Sequence, residues 1–157
     1  MILKVYKEDE LIYTYEITDE YLEISDNLKV NETNSMIEDL TVGQTVEDIK
    51  QNIDTTGTVK VVNQEDNEVT GVVGTGYKVV IELSKETIEY TLVVSGDITG
   101  DGKIKMSDVM KTANQVLEEN TIVGDCYLKA ADVTGDGKIK MSDVMKLANL
   151  VLEGGSL

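Results

Sequence analysis

The stretch TGDGKIKMSDVMK occupies Thr99–Lys111 and recurs letter for letter at Thr134–Lys146. An aspartate stands two residues ahead of each copy, Asp97 and Asp132. Counted from that aspartate, oxygen-bearing side chains fill positions 1, 3 and 5: Asp97, Thr99 and Asp101 in one copy, Asp132, Thr134 and Asp136 in the other. Gly102 and Gly137 hold position 6, and a last carboxylate, Asp108 or Asp143, holds position 12. Behind each loop runs helical apolar spacing, through Val109, Met110, Ala113, Val116 and Leu117, and again through Val144, Met145, Ala148, Val151 and Leu152. The carboxy-terminal part therefore reads as two loop–helix units joined by EENTIVGDCYLKAAD, with a short helix near Tyr127–Ala131.

The spacing is that of an EF-hand calcium loop, in which side chains at 1, 3, 5 and 12 and the carbonyl of 7, here Lys103 or Lys138, surround one ion. Alternate residues point inward, a glycine makes the sharp turn, and the distant carboxylate closes the cage from the helix. Three departures weaken the set. Thr at position 3 offers a neutral hydroxyl, Asp at 12 reaches less far than the common Glu, and Lys105 and Lys140 at 9 leave that place to water. A single such loop could be a solvated turn. Two at identical spacing, each leading into an amphipathic helix, point to two Ca²⁺ ions of modest affinity. Ile104 and Ile139 at position 8 predict a short backbone bridge between the loops. So small a unit is expected to lose its order when calcium is withdrawn.

Composition narrows the rest. The chain has 157 residues, 30 acidic against 14 basic, for a net charge of −16, which repels nucleic acid. Residues 1–95 hold 20 Asp and Glu against 7 Lys, and residues 96–157 hold 10 against 7, so the boundary falls near Ser95. Histidine is absent and Cys126 is alone, which removes Ser-His and Cys-His catalysis and histidine metal sites. An enzyme is not expected. No run is long enough to span a membrane, and MILKVYKEDE is not a signal peptide. The start inside a strand pattern and the GGSL end read as a piece of a longer chain.

The first 95 residues read as β-rich. Ile2–Tyr6 and Leu11–Ile17 form a hairpin around KEDE, followed by strands at Tyr21–Ile24, Thr58–Val62, Tyr77–Leu83 and Glu89–Val94. One helix interrupts them in TVEDIKQNI, capped by Thr45, with Val46, Ile49 and Ile53 on one face. GVVGTG at Gly71–Gly76 has the wrong glycine order for a dinucleotide site and reads as a hairpin turn. Sugar binding by this half would need coplanar exposed rings among Tyr6, Tyr13, Tyr15, Tyr21, Tyr77 and Tyr90; a supporting platform is the preferred reading.

The segments GDITGDGKIKMSDVMKTANQVLE and ADVTGDGKIKMSDVMKLANLVLE share 19 of 23 positions. This duplication, with a helix starting at the end of each loop and no matching entry helix, resembles type I dockerins over Gly96 to about Gly154. Residues 1–95 more loosely resemble the β-rich X modules that often precede them. The resemblance implies an α+β chain: a β-rich domain with one helix over 1–95, then an all-α dockerin with two calcium-binding loop–helix repeats over 96–157. It implies a secreted, extracellular, non-catalytic adaptor, monomeric when unbound. Such an adaptor docks a cohesin module of a scaffold or cell-surface protein and so anchors a carbohydrate-active parent in a cellulosome-like assembly. The alternative is a calcium-binding module whose first domain binds carbohydrate. The resemblance places partner recognition at and just after loop positions 10 and 11, on Met106, Ser107, Met110 and Lys111 and on Met141, Ser142, Met145 and Lys146. Met110 and Met145 suit a core as well as a docking face. Departures between the copies at Thr112/Leu147 and Gln115/Leu150 make the faces similar rather than equal.

Overall fold

The computed structural model describes residues 2–7, 10–16 and 20–154, with side chains from residue 20 onward. β1 (Ile2–Lys7) and β2 (Glu10–Glu16) pair antiparallel as the expected hairpin. The tip of its KEDE turn, and the side chains of Tyr6, Tyr13 and Tyr15, lie outside the described residues. β3 (Leu22–Ile24) pairs antiparallel with β6 (Ile53–Thr55). A five-stranded sheet runs in the order β4 (Lys29–Asn31), β5 (Met36–Leu40), β9 (Thr87–Val94), β8 (Lys78–Glu82) and β7 (Thr58–Val62). Its pairs are antiparallel except β5 with β9, which run parallel.

β4, β5 and β6 are absent from the sequence expectation. β5 was masked by its acidic letters, MIEDL, because a strand carrying two carboxylates does not read as core. Glu38 is nevertheless buried, and it survives there because Asn31 donates to it at 2.8 Å and Lys129 and Lys29 approach at 3.4 and 3.7 Å.

α1 (Val46–Lys50) starts where Thr45 predicts. The Asp48 amide donates to Thr45 Oγ1 at 3.2 Å and the Thr45 amide to Asp48 Oδ2 at 2.7 Å, a reciprocal cap, and the Thr45 hydroxyl's bond to the same oxygen at 2.7 Å, with the amide's, holds the Asp48 carboxyl below its ordinary value. The helix is shorter than its pattern. Asn52 Nδ2 donates back to the Asp48 carbonyl at 2.8 Å, and Ile53 enters β6 instead of extending the helical face, although it still reaches the core. That core joins Val46 and Ile49 to Ile37, Val61, Val79, Ile81, Leu92 and Val94. Each such side chain, fully buried, contributes about 1.5–3 kcal/mol.

From Gly96 the chain turns helical, with α2 (Met106–Glu118), α3 (Asp125–Ala131) and α4 (Met141–Leu152). α2 packs on α4 around Ile98, Ile104, Val109, Val133 and Leu147. The expected bridge between Ile104 and Ile139 is not formed among the described residues; both isoleucines enter this core instead, so the loops are joined by apolar packing. The helical stripes also divide differently from the sequence expectation. Val109 and Thr112 face inward, while Met110 and Leu117 stand exposed, as do Met145 and Leu152 in the second copy.

The helices rest on the sheet. Ala130 of α3 packs on Met36 of β5 and Val93 of β9, with Cys126 beside them. The Ser95 amide donates to the Leu40 carbonyl and the Gly96 amide to the Ala130 carbonyl, both at 2.8 Å. GVVGTG lies within the connection from β7 to β8 and does turn, the Tyr77 amide reaching the Gly74 carbonyl at 3.2 Å. It is also tied down along its length: Val46 N–H donates to the Gly71 carbonyl, Val73 N–H to Gln44 and Gly76 N–H to Leu92, at 2.8–2.9 Å. Beyond turning the chain, it forms the wall against which the first loop sits.

Candidate metal centre

Each loop is folded around its first aspartate. Asp97 Oδ1 accepts from the amides of Gly100 at 2.8 Å and Asp101 at 3.0 Å, and its Oδ2 accepts from Gly102 at 2.9 Å. Asp132 repeats this with Gly135 at 2.9 Å, Asp136 at 3.1 Å and Gly137 at 2.7 Å. The chain can wrap so tightly because Gly100 and Gly102 take φ of +76° and +73°, a region that side chains disfavour. The position-12 carboxylates close each loop. Asp108 accepts from the amides of Thr99 at 2.8 Å and Lys105 at 2.9 Å; Asp143 accepts from those of Thr134 at 3.0 Å and Lys140 at 2.8 Å. The bond to the lysine amide also caps the helix that follows, and the carboxylate in its first turn suits the helix dipole.

Asp97, Asp108 and Asp143 are all 0% exposed. Among the described residues none of the three has a cation within ion-pair reach, since the loop lysines turn elsewhere: Lys105 pairs with Asp101, and Lys140 with Asp136 at 2.6 Å. The Asp97 carboxyl is pushed up from its ordinary value by burial, against the pull of amides from Thr75, Gly102, Gly100 and Asp101. Asp136 is held below its ordinary value, chiefly by its bond from Lys140.

Among the described residues no three acidic, His or Cys side chains converge as a ready-made metal cluster. In each loop a lysine holds the position-5 carboxylate, Asp101 or Asp136, and the position-3 hydroxyl and position-7 carbonyl would complete the oxygen set once the three carboxylates turn to one ion. The donors present are all hard oxygens, and the buried carboxylates, satisfied by amides and at Asp143 also by the Thr134 hydroxyl at 2.8 Å, are short of positive charge. That chemistry fits a calcium ion. The two lysine pairs supply a partial substitute, one ammonium beside one carboxylate in each loop.

All eight residues expected at the partner surface are exposed, Met106 and Met110 by 50% and 61% and Met141 and Met145 by 50% and 62%. Lys111 Nζ donates to the Ile98 carbonyl at 3.4 Å and Lys146 Nζ to that of Val133 at 2.6 Å, which draws each lysine along its helix surface. The two departures do not mark this face. Thr112 and Leu147 are both 0% exposed, and Gln115 Oε1 turns to accept from the Ile122 amide at 2.8 Å. Of the candidate platform tyrosines with described side chains, Tyr90 is buried, Tyr77 packs against the core, and Tyr21 is exposed, so these three rings form no platform.

Three residues near the first loop escaped the sequence reading. Thr75 donates its amide to Asp97 Oδ2 at 3.0 Å, Gln64 Nε2 donates to the Gly100 carbonyl at 3.2 Å, and Gly74 presses directly on Gly100. The only signal was the glycine-rich GVVGTG, and glycine clusters mark turns far more often than close backbone contacts.

Residues 95–152 match the family model described as the Dockerin type I domain, and this segment is a type I dockerin domain. Type I dockerins are non-catalytic modules that bind calcium through paired EF-hand-like repeats, two ions being typical, and bind cohesins in extracellular cellulosome assemblies. No curated protein and no solved structure matches the chain. Among the described residues no helix is long and apolar enough to cross a membrane.

Proposed function

We propose that the chain is a secreted adaptor in which the dockerin, residues 96–157, is organised by two calcium ions and docks a cohesin, while residues 1–95, resembling an X module, form a supporting platform. Asp97, Thr99, Asp101, Asp108 and the Lys103 carbonyl hold one ion; Asp132, Thr134, Asp136, Asp143 and the Lys138 carbonyl hold the other. The ion supplies the positive charge that the buried carboxylates lack. Through this adaptor a parent carbohydrate-active or cell-surface protein is anchored to a scaffold, and unbound it is a monomer.

One observation carries the docking surface: both helices present the same stripe at nearly equal exposure. Met106 and Met110 are followed by Leu117 at 74%, and Met141 and Met145 by Leu152 at 80%. The leucines extend the surface beyond the residues named from sequence. Flexible thioethers and exposed leucines suit an apolar partner face, and the flanking serines and lysines give it a polar rim. Because the stripes match, a cohesin can dock on either in two opposite orientations.

A panel of cohesins, probed with and without calcium, tests the reading. Binding to at least one, abolished by chelator, is expected. Replacing Met106 and Ser107, or Met141 and Ser142, leaves affinity within a few-fold, whereas replacing all four abolishes it. Complete loss from either single-copy change would refute the two-orientation reading while leaving cohesin binding intact. For the carbohydrate-binding alternative, retention of residues 1–95 on an insoluble polysaccharide would favour it over the platform.

A further inference from the structure

The two loops are the same in sequence and nearly the same bond for bond, yet their surroundings differ. Where Gly135 and Gly137 have nothing within 4 Å of the space a side chain would take, Gly102 meets the Val73 carbonyl at 2.8 Å and Gly100 meets Gln64 and the Thr75 carbonyl. Asp97 is fully buried and Asp132 is not. Asp97 also receives a fourth amide, from Thr75, which Asp132 lacks among its bonds.

That fourth donor is itself fixed. Thr75 is 0% exposed; its hydroxyl donates to the Val94 carbonyl at 3.1 Å and accepts from the Val94 amide at 3.0 Å, pinning it to β9. Gln64 Nε2 ties the Thr75 carbonyl at 2.9 Å to the Gly100 carbonyl at 3.2 Å, so one side chain clamps the wall to the loop. Gly76 leaves room for the Tyr127 hydroxyl from α3, closing the same seam from the other side.

We propose that the β-rich domain serves as a built-in outer shell for the first loop, so that the Asp97 site holds calcium more tightly and releases it more slowly than the Asp132 site. This rests on the calcium reading above. The physical cause is preorganisation. A loop that the ion must order gives up conformational entropy on binding, whereas a loop already held by a folded sheet has given it up on folding. Outer-shell partners that orient a metal-binding group change metal affinity by about 10–100-fold. Thr75 is such a positioning residue for Asp97, and Gln64 positions Thr75 and the loop together.

The test uses the whole chain loaded with calcium and mixed rapidly with an excess of a fluorescent chelator. Two release phases of equal amplitude are expected, separated by about ten-fold or more. Asp97→Asn removes the slow phase and Asp132→Asn the fast one. Gln64→Ala, which touches no ion, speeds the slow phase about ten-fold and leaves the fast phase alone. A second measurement needs no metal: in the calcium-free chain, hydrogen exchange at Gly100, Asp101 and Gly102 is slower than at Gly135, Asp136 and Gly137. Two ions leaving at one rate, a slow ion assigned to the Asp132 loop, or equal exchange in the two loops would each overturn the proposal while leaving calcium binding untouched. A chain that binds no calcium at all would overturn the calcium reading and the proposal with it.

Discussion

Gly74→Ala isolates the contact between the wall and the first loop. Gly74 is not among the glycines with positive φ, so alanine is allowed there by the backbone. In open space the change would stabilise the chain by about 0.4–1 kcal/mol, because alanine restricts the unfolded state. The space is not open. The new Cβ would stand 2.5 Å from the Gly100 carbonyl oxygen, 2.9 Å from its carbon and 3.1 Å from the Gly102 nitrogen. Carbon atoms at rest sit about 3.5–4.0 Å apart, so the seam must open by several tenths of an ångström or more. All three neighbours are backbone, and none can rotate away. Overpacking of this kind costs about 1–3 kcal/mol, which exceeds the entropic gain. For a chain of this size each kcal/mol lowers the melting temperature by about 2–4 °C. Thermal unfolding in saturating calcium should therefore show a loss of several degrees, accompanied by faster hydrogen exchange at Gly100 and Gly102. A variant melting at or above the wild-type temperature would refute the contact and the reasoning built on it.

Leu147→Ala should destabilise the dockerin by about 2–5 kcal/mol in denaturant titration, since Leu147 is 0% exposed, whereas Met145→Ala, 62% exposed in the parent, should stay within about 0.5 kcal/mol. Thr45→Ala removes the acceptor for the Asp48 amide and should cost about 1 kcal/mol by the same measurement. Cys126 packs beside Met36, Val93 and Ala130, and burial pushes its thiol up from its ordinary value. Alkylation by iodoacetamide at pH 8 should be much slower in the native chain than in denaturant, and an equal rate would mean that α3 does not rest on the sheet.

Metal loops are legible in a sequence because their ligands are local: Asp97 and Asp108 are fixed by a count of residues, and Thr99, Asp101 and Gly102 fall between them. The helices after them are legible for the same reason. Strands of ordinary alternation, such as β7 and β8, were found close to their observed bounds. β5 was not, because Glu38 becomes tolerable only through Asn31, Lys29 and Lys129, and Lys129 lies far away in the sequence. The direction of the methionines was left open for a related reason. A helix with apolar residues on two faces has no single stripe, and only the position of the partner helix decides which face turns outward. The wall at Val73–Thr75 was least legible of all, since letters that repeat cannot show that one copy touches another domain and the other does not.

The four departures between the repeats bear on what the identical letters are for. Gly96 answers to Ala131, Ile98 to Val133, Thr112 to Leu147 and Gln115 to Leu150. Two of these have a structural reason on the first copy's side. A side chain at Gly96 would strike Ile104 and Leu147 at 2.8 and 3.0 Å, whereas Ala131 lies at the end of α3. Gln115 ties down the connector through the Ile122 amide at 2.8 Å. Ile98 and Thr112 are buried, as are Val133 and Leu147. The exposed letters Met106, Ser107 and Met110 are the same as Met141, Ser142 and Met145, and neither core packing, the lysine bonds within each repeat nor ion ligation by side chains requires that. Folding alone would leave those positions free to diverge. A partner that reads either helix through the same surface would not, which supports the two docking faces proposed above on a module whose two loops have different surroundings.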